Sequence, residues 1–146
     1  MVFRDSRQLL PTSLELLVAS LTKTGRKNLI KKYKLVATMC SNCDVTLLER
    51  KGVFCYNYID SFEQLEEQAH SHREAFCNKL SNEECLEADY VHSKHVSTEF
   101  NCKTLKDYLS LHLLSDICLL ADVFETLRNN SLEEYQLDPA YYVSAL

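Results

Sequence analysis

The hydrophobic pattern is clearest between Thr104 and Arg128. Apolar side chains recur there at three- and four-residue spacing, which predicts a long amphipathic helix. Thr104 and Asp107 stand three apart at its start and can form a capping box. One acid interrupts the stripe. The helical neighbours of Asp116 are Leu109, His112, Leu113, Leu119, Leu120 and Val123, so its carboxylate is predicted to point where the core should be. Phe124 and Leu127 continue the same stripe. Asp107 falls roughly opposite and Asp122 to one side, and both are expected to be surface acids. The helix is expected to end near Asn129-Asn130. A short helical turn should follow through Tyr135, and Asp138-Pro139 should break the chain.

Weaker patterns fill the remainder. Val2-Phe3 resembles the end of a strand. Thr12 and Glu15 fit a capping box ahead of Leu14, Leu17, Val18 and Leu21 at helical spacing, with Gly25 as a stop. Leu35 to Ala37 could form a short strand. Val53, Phe54, Tyr56, Tyr58 and Ile59 loosely alternate and predict an extended segment. Ser61 and Gln64 make another capping pair, opening a short helix to about Glu67. His70 to Leu80 is predicted as a connector with a short helix, and Glu83 to Phe100 as a helix with a polar face.

Composition narrows the picture. The chain has 146 residues, enough for one domain with a real core. It is 46% hydrophobic and 25% charged, which excludes a wholly disordered chain. Glycine and proline occur only twice each, and that scarcity favours helices over a turn-rich sandwich. The formal net charge of −5 excludes nucleic-acid binding by bulk electrostatics. Lys23, Arg26, Lys27, Lys31, Lys32 and Lys34 do cluster, as a solvated loop or a local phosphate-facing patch. No early apolar run suggests a signal peptide, and no stretch predicts a membrane span, so an intracellular location with reduced thiols is expected. Cys40 and Cys43 form a CxxC without a matched second pair. His70 with His72, or His92 with His95, could complete a zinc set only through folding. There is no phosphate-binding glycine loop and no evident nucleophile–histidine–acid set.

Asp116 remains the sharpest chemical clue. A buried carboxylate requires a cation or several hydrogen bonds. The partner could be backbone, a tyrosine, or a divalent metal, for which a hard oxygen ligand is suited. His112 could reach the same site or simply pack in the core.

Several segments together resemble protein-primed family B DNA polymerases, especially those of self-synthesising transposons and related viruses. They begin with Phe3-Arg4-Asp5-Ser6-Arg7-Gln8-Leu9-Leu10-Pro11-Thr12-Ser13-Leu14. Arg50-Lys51-Gly52-Val53-Phe54-Cys55-Tyr56 and Tyr58-Ile59-Asp60-Ser61-Phe62 follow. Then come Glu74-Ala75-Phe76, Lys79-Leu80-Ser81-Asn82-Glu83 and Asp89-Tyr90. Last are the run from Glu99 through Asp116 to Glu125, then Tyr135, Leu137-Asp138-Pro139-Ala140 and Tyr142. The match is collinear over nearly the whole chain.

The resemblance implies an α/β, helix-dominated fold: part of a ribonuclease-H-like 3′–5′ exonuclease domain, with few short strands and a long C-terminal helix. It implies that residues 1–146 end near the start of the polymerase core. Asp116 falls on the metal-binding acid of a Tyr-x-x-x-Asp motif, and His112 stands at the tyrosine position, near the attacking water. Cys55 stands where the family usually has proline. The parent protein would use Mg2+ or Mn2+, a single-stranded DNA 3′ end, deoxynucleotides and a terminal protein primer, with no membrane partner. The other metal-binding acids would lie before Met1 and the polymerase motifs after Leu146. These residues alone are therefore expected to hold no metal and to be inactive. The alternative is a non-catalytic helical binding or scaffold protein.

Overall fold

The computed structural model describes residues 8–23, 43–69, 73–76 and 85–141. The described residues are dominated by helix: α1 (Leu14–Lys23), α2 (Glu87–Glu99) and α3 (Leu105–Tyr135). Short 3-10 turns at Val45–Leu48, Tyr56–Tyr58, Glu63–Glu66, Arg73–Phe76 and Pro139–Tyr141 punctuate the connections. None of the described helices is long and apolar enough to cross a membrane.

The long helix starts where the sequence places it. Thr104 accepts a hydrogen bond from the Asp107 amide, and the Asp107 carboxylate accepts from the Thr104 and Lys103 amides. Such a cap is worth about 1 kcal/mol. The predicted end near Asn129-Asn130 is wrong, because α3 continues unbroken to Tyr135. Asparagine disfavours helix by less than about 1 kcal/mol per residue, which tertiary contacts readily offset. Arg128 supplies them: its guanidinium forks onto both Asp138 oxygens, at 3.0 and 2.6 Å, and also reaches Glu125 at 2.9 Å. The fork ties the segment beyond the helix back onto it. Gln136 ends the helix in the left-handed conformation, φ 58°, and its amide bonds back to Leu132.

At α1 the cap is shifted by one residue. Ser13, rather than Thr12, accepts from the Leu16 amide. The helix that was expected from Glu83 begins at Glu87. Gln64 performs its half of the second capping pair, accepting from the Asp60 and Ser61 amides. The proposed ends or strands at Val2-Phe3, Gly25 and Leu35–Ala37, and the basic cluster beyond Lys23, lie outside the described residues.

The few short strands do not materialise among the described residues, where the sole bridge pairs Gln68 with Thr104. Val53 to Ile59 is extended in part but docks through side chains instead of a ladder. Phe54 stacks on Tyr108 and His112, and the Tyr108 hydroxyl donates to the Val53 carbonyl at 2.9 Å. The carbonyl that a neighbouring strand would have used is thereby occupied by a helix side chain.

Two apolar clusters hold these elements. The larger joins Leu48, Phe54, Phe76, Tyr90, Val96 and Leu111, among others, between α2, α3 and the irregular segment. The smaller joins Val18 of α1 to Leu119 and Val123 of α3. Arg50–Asp89 and Arg73–Glu87 pair at the rim, where partly exposed ion pairs contribute little. Cys55, Cys85, Cys102 and Cys118 are free thiols, whereas Cys43 is disulfide-bonded, contrary to the expected reduced state.

Candidate functional site: a histidine–carboxylate pair on the long helix

The buried face of α3 runs through Tyr108, Leu111, His112, Ser115, Cys118, Leu119 and Asp122. This face is rotated from the one hydropathy suggests. Leu113, Ile117 and Leu120 are 46%, 65% and 36% exposed. Asp116 consequently sits at the border between the buried face and solvent, with its side chain 25% exposed. Asp122, expected to be a surface acid, is only 2% exposed. Its position one turn beyond Cys118 places it in the centre of the true buried face. Hydropathy misplaced the face because it weighted the leucines and could not register that Ser115 and Cys118 pack inward. Asp107 is exposed, as predicted.

His112 and Asp116 are one helical turn apart, so their side chains meet. Nε2 of His112 lies 3.8 Å from Oδ2 of Asp116. The imidazole is buried against Phe54, with ring centres 5.6 Å apart, and Tyr56 meets it edge-on at 5.9 Å. Gly52 closes the opposite edge. A β-carbon at that position would stand 3.3 Å from His112 Nδ1, so the absence of a side chain lets the loop lie on the ring. Sequence reasoning did not single out Gly52 or Tyr56 as neighbours of this pair. The available signal was a rare glycine immediately before an aromatic run.

Electrostatics reinforce the geometry. Burial pushes the His112 imidazole below its ordinary value of 6.5, with Lys51 acting in the same direction and Asp116 opposing both. Burial, and then the Asp116 charge, push the Tyr56 phenol up. Burial pushes the Cys55 thiol up to about 11, leaving it a poor nucleophile at neutral pH. One Asp116 oxygen, Oδ1, is buried and has no hydrogen-bond partner. Buried polar atoms without partners are uncommon and costly.

The site therefore places a carboxylate beside an enclosed, neutral imidazole at the edge of solvent. The imidazole is enclosed, and the reachable group is Asp116. A two-metal site needs several converging acids, and these residues do not fit one. No group of three or more metal-ligating side chains comes together among the described residues. Asp122 lies six residues on, about 9 Å along the axis and turned by about 120°, so it faces elsewhere. No hydrolytic step through metal is assigned to these residues.

Comparisons with protein-family models, curated proteins and solved structures return no match.

Burial of neutral His112 predicts an acid response. Its folded-state value is depressed, so the unfolded chain takes up the proton first. The contribution to stability is present above about pH 6.5 and is lost as the pH falls below it. Denaturant midpoints measured on both sides of that pH should show an acid decline that is shallower in His112→Gln. An unchanged slope in the variant contradicts the assignment.

Proposed function

We propose that these residues belong to the 3′–5′ exonuclease region of a protein-primed family B DNA polymerase acting in DNA replication. The supporting observation is Asp116. The collinear resemblance puts a metal-binding acid at this position. In the fold the same carboxylate lies beside His112 at the edge of the buried face, partly exposed, and its buried oxygen Oδ1 has no hydrogen-bond partner. An acid awaiting a hard cation has these properties.

In this reading Asp116 is one ligand of a set completed by acids outside these residues. His112 packs beside the carboxylate on its enclosed side, 3.8 Å away, and would stand near the attacking water. The metals, Mg2+ or Mn2+, would supply the activated water and stabilise charge on the scissile phosphate. The substrate is a single-stranded DNA 3′ end, and the intact protein would also take deoxynucleotides and a terminal protein primer. The ribonuclease-H-like sheet is part of this proposal. The described residues contribute helices that would flank it, and its strands would come from elsewhere in the protein.

Sequencing the transcript across both ends of this coding region tests the reading without any assay. The expected result is an upstream strand-like segment carrying Asp-x-Glu, in frame with Met1. A transcript with stop codons at both flanks and no such segment contradicts it.

A further inference from the structure

His112 is almost wholly enclosed, with its side chain 4% exposed. Its Nε2 lies 3.8 Å from Asp116 Oδ2, which is longer than a hydrogen bond. Neither ring nitrogen has a hydrogen-bond partner among the described residues. Buried polar groups are as a rule hydrogen-bonded, so an imidazole left without a partner points to one supplied from elsewhere.

A cavity of about 20 Å3 lies against this ring, between α2, α3 and the segment 47–52. Arg50, Gly52, His92, Tyr108, His112 and Ser115 contribute to its lining, and Asp116 does not. The missing side chain of Gly52 marks the position that matters. A β-carbon there would stand 3.3 Å from His112 Nδ1 and 3.9 Å from the Tyr108 hydroxyl oxygen. One small group at that place can touch both atoms.

Size and polarity decide what the group is. A cavity needs about 10–15 Å3 to admit one water, and cavities that stay dry are apolar. This one admits a single water and is too small for a hydrated ion. Its lining carries no carboxylate to neutralise a cation. The two atoms beside Gly52 are acceptors. The Tyr108 hydroxyl gives its proton to the Val53 carbonyl, so its oxygen can accept. Burial keeps His112 neutral, with one nitrogen protonated and the other bare. The proton is favoured on Nε2, where the N–H dipole faces the Asp116 carboxylate, and that leaves Nδ1 bare. A water supplies the two donors these acceptors need, whereas an anion supplies none.

We propose that the cavity over Gly52 is a site for one ordered water, which donates to His112 Nδ1 and to the Tyr108 hydroxyl oxygen and so fixes the His112 proton on Nε2, toward Asp116. Glycine at position 52 leaves room for it, because any larger residue would put a side chain in its place. The water lies across the imidazole from Asp116 and is not a reactant. The inference therefore goes beyond the proofreading reading and does not depend on it.

The test uses the 15N-labelled 146-residue chain in solution at neutral pH, without metal or DNA. Long-range proton–nitrogen correlation should show His112 protonated on Nε2. Selective excitation of water should give a cross-peak to the His112 Cε1 proton, with the sign of a long-lived contact. Gly52→Ala should abolish that cross-peak and move part of the His112 proton to Nδ1. The Tyr108 hydroxyl remains in this variant, so a signal relayed through hydroxyl exchange would persist in it. A high-resolution crystal structure of the parent chain gives a second reading that needs no variant. Density for one water within hydrogen-bond distance of Nδ1 and the Tyr108 oxygen is expected. His112 protonated on Nδ1 in the parent, a cross-peak that survives Gly52→Ala, or a dry cavity in the crystal overturns the inference. None of these results bears on whether Asp116 binds metal in a larger protein.

Discussion

Leu111→Ala is expected to cost about 2–5 kcal/mol of folding free energy. Leu111 is 1% exposed and belongs to the larger cluster, in which α3 meets α2 and the segment around Phe54. Truncation removes apolar contact and leaves a cavity in a place where three elements converge, so relaxation is limited. Domains of this size are stabilised by roughly 5–15 kcal/mol, and the variant should lose a large share of that. The same truncation at Leu119 makes a useful contrast. Leu119 is fully buried, but its cluster is small and mainly seats α1. Leu119→Ala should first release α1, seen as lost amide-exchange protection over Leu14–Lys23, while α2 and α3 remain protected. Denaturant unfolding with exchange read by mass spectrometry distinguishes the two. A Leu111→Ala midpoint close to the parent's contradicts the assignment of the main core.

Much of the helical framework was legible in the sequence. The Thr104–Asp107 cap combines a side-chain acceptor, a three-residue spacing and a following apolar run, and local chemistry of this kind survives folding. Gln64 was legible for the same reason. The lost items all depended on distant contacts. Arg128 reaches forward to Asp138 and carries α3 through two asparagines that local propensity would have ended on. Tyr108 takes the Val53 carbonyl, and a stretch rich in strand formers docks as an irregular segment. Side-chain packing with the wider structure decides such cases, and β-propensity by itself is a weak guide.

The adjacency of His112 and Asp116 was legible in the sequence, and their setting on the helix was not. Periodicity identified Asp116 as an acid out of place and His112 as its neighbour. It could not show that the packed face is rotated toward Ser115 and Cys118. That rotation buries Asp122, brings Asp116 to the border and uncovers Leu113, Ile117 and Leu120. Nor could it show Gly52 lying on the imidazole, because that approach spans 60 residues of sequence separation between positions 52 and 112.

The central claim is that Asp116 serves as a metal-binding acid in the intact protein. Asp116→Asn preserves the size of the side chain and its place beside His112, and removes the negative charge. A neutral amide is a poor ligand for a hard divalent cation, so the effect should fall on hydrolysis and not on folding. The most direct measurement is a paired assay of the full-length protein in which these residues are proposed to lie and its Asp116→Asn variant, on a primer with a mismatched 3′ end, with Mg2+ present. Exonuclease rate should fall at least about a hundredfold, the loss typical when a major electrostatic contribution to a transition state is removed, while extension of a matched primer is unchanged. Proofreading that proceeds at the parental rate in the variant contradicts the account.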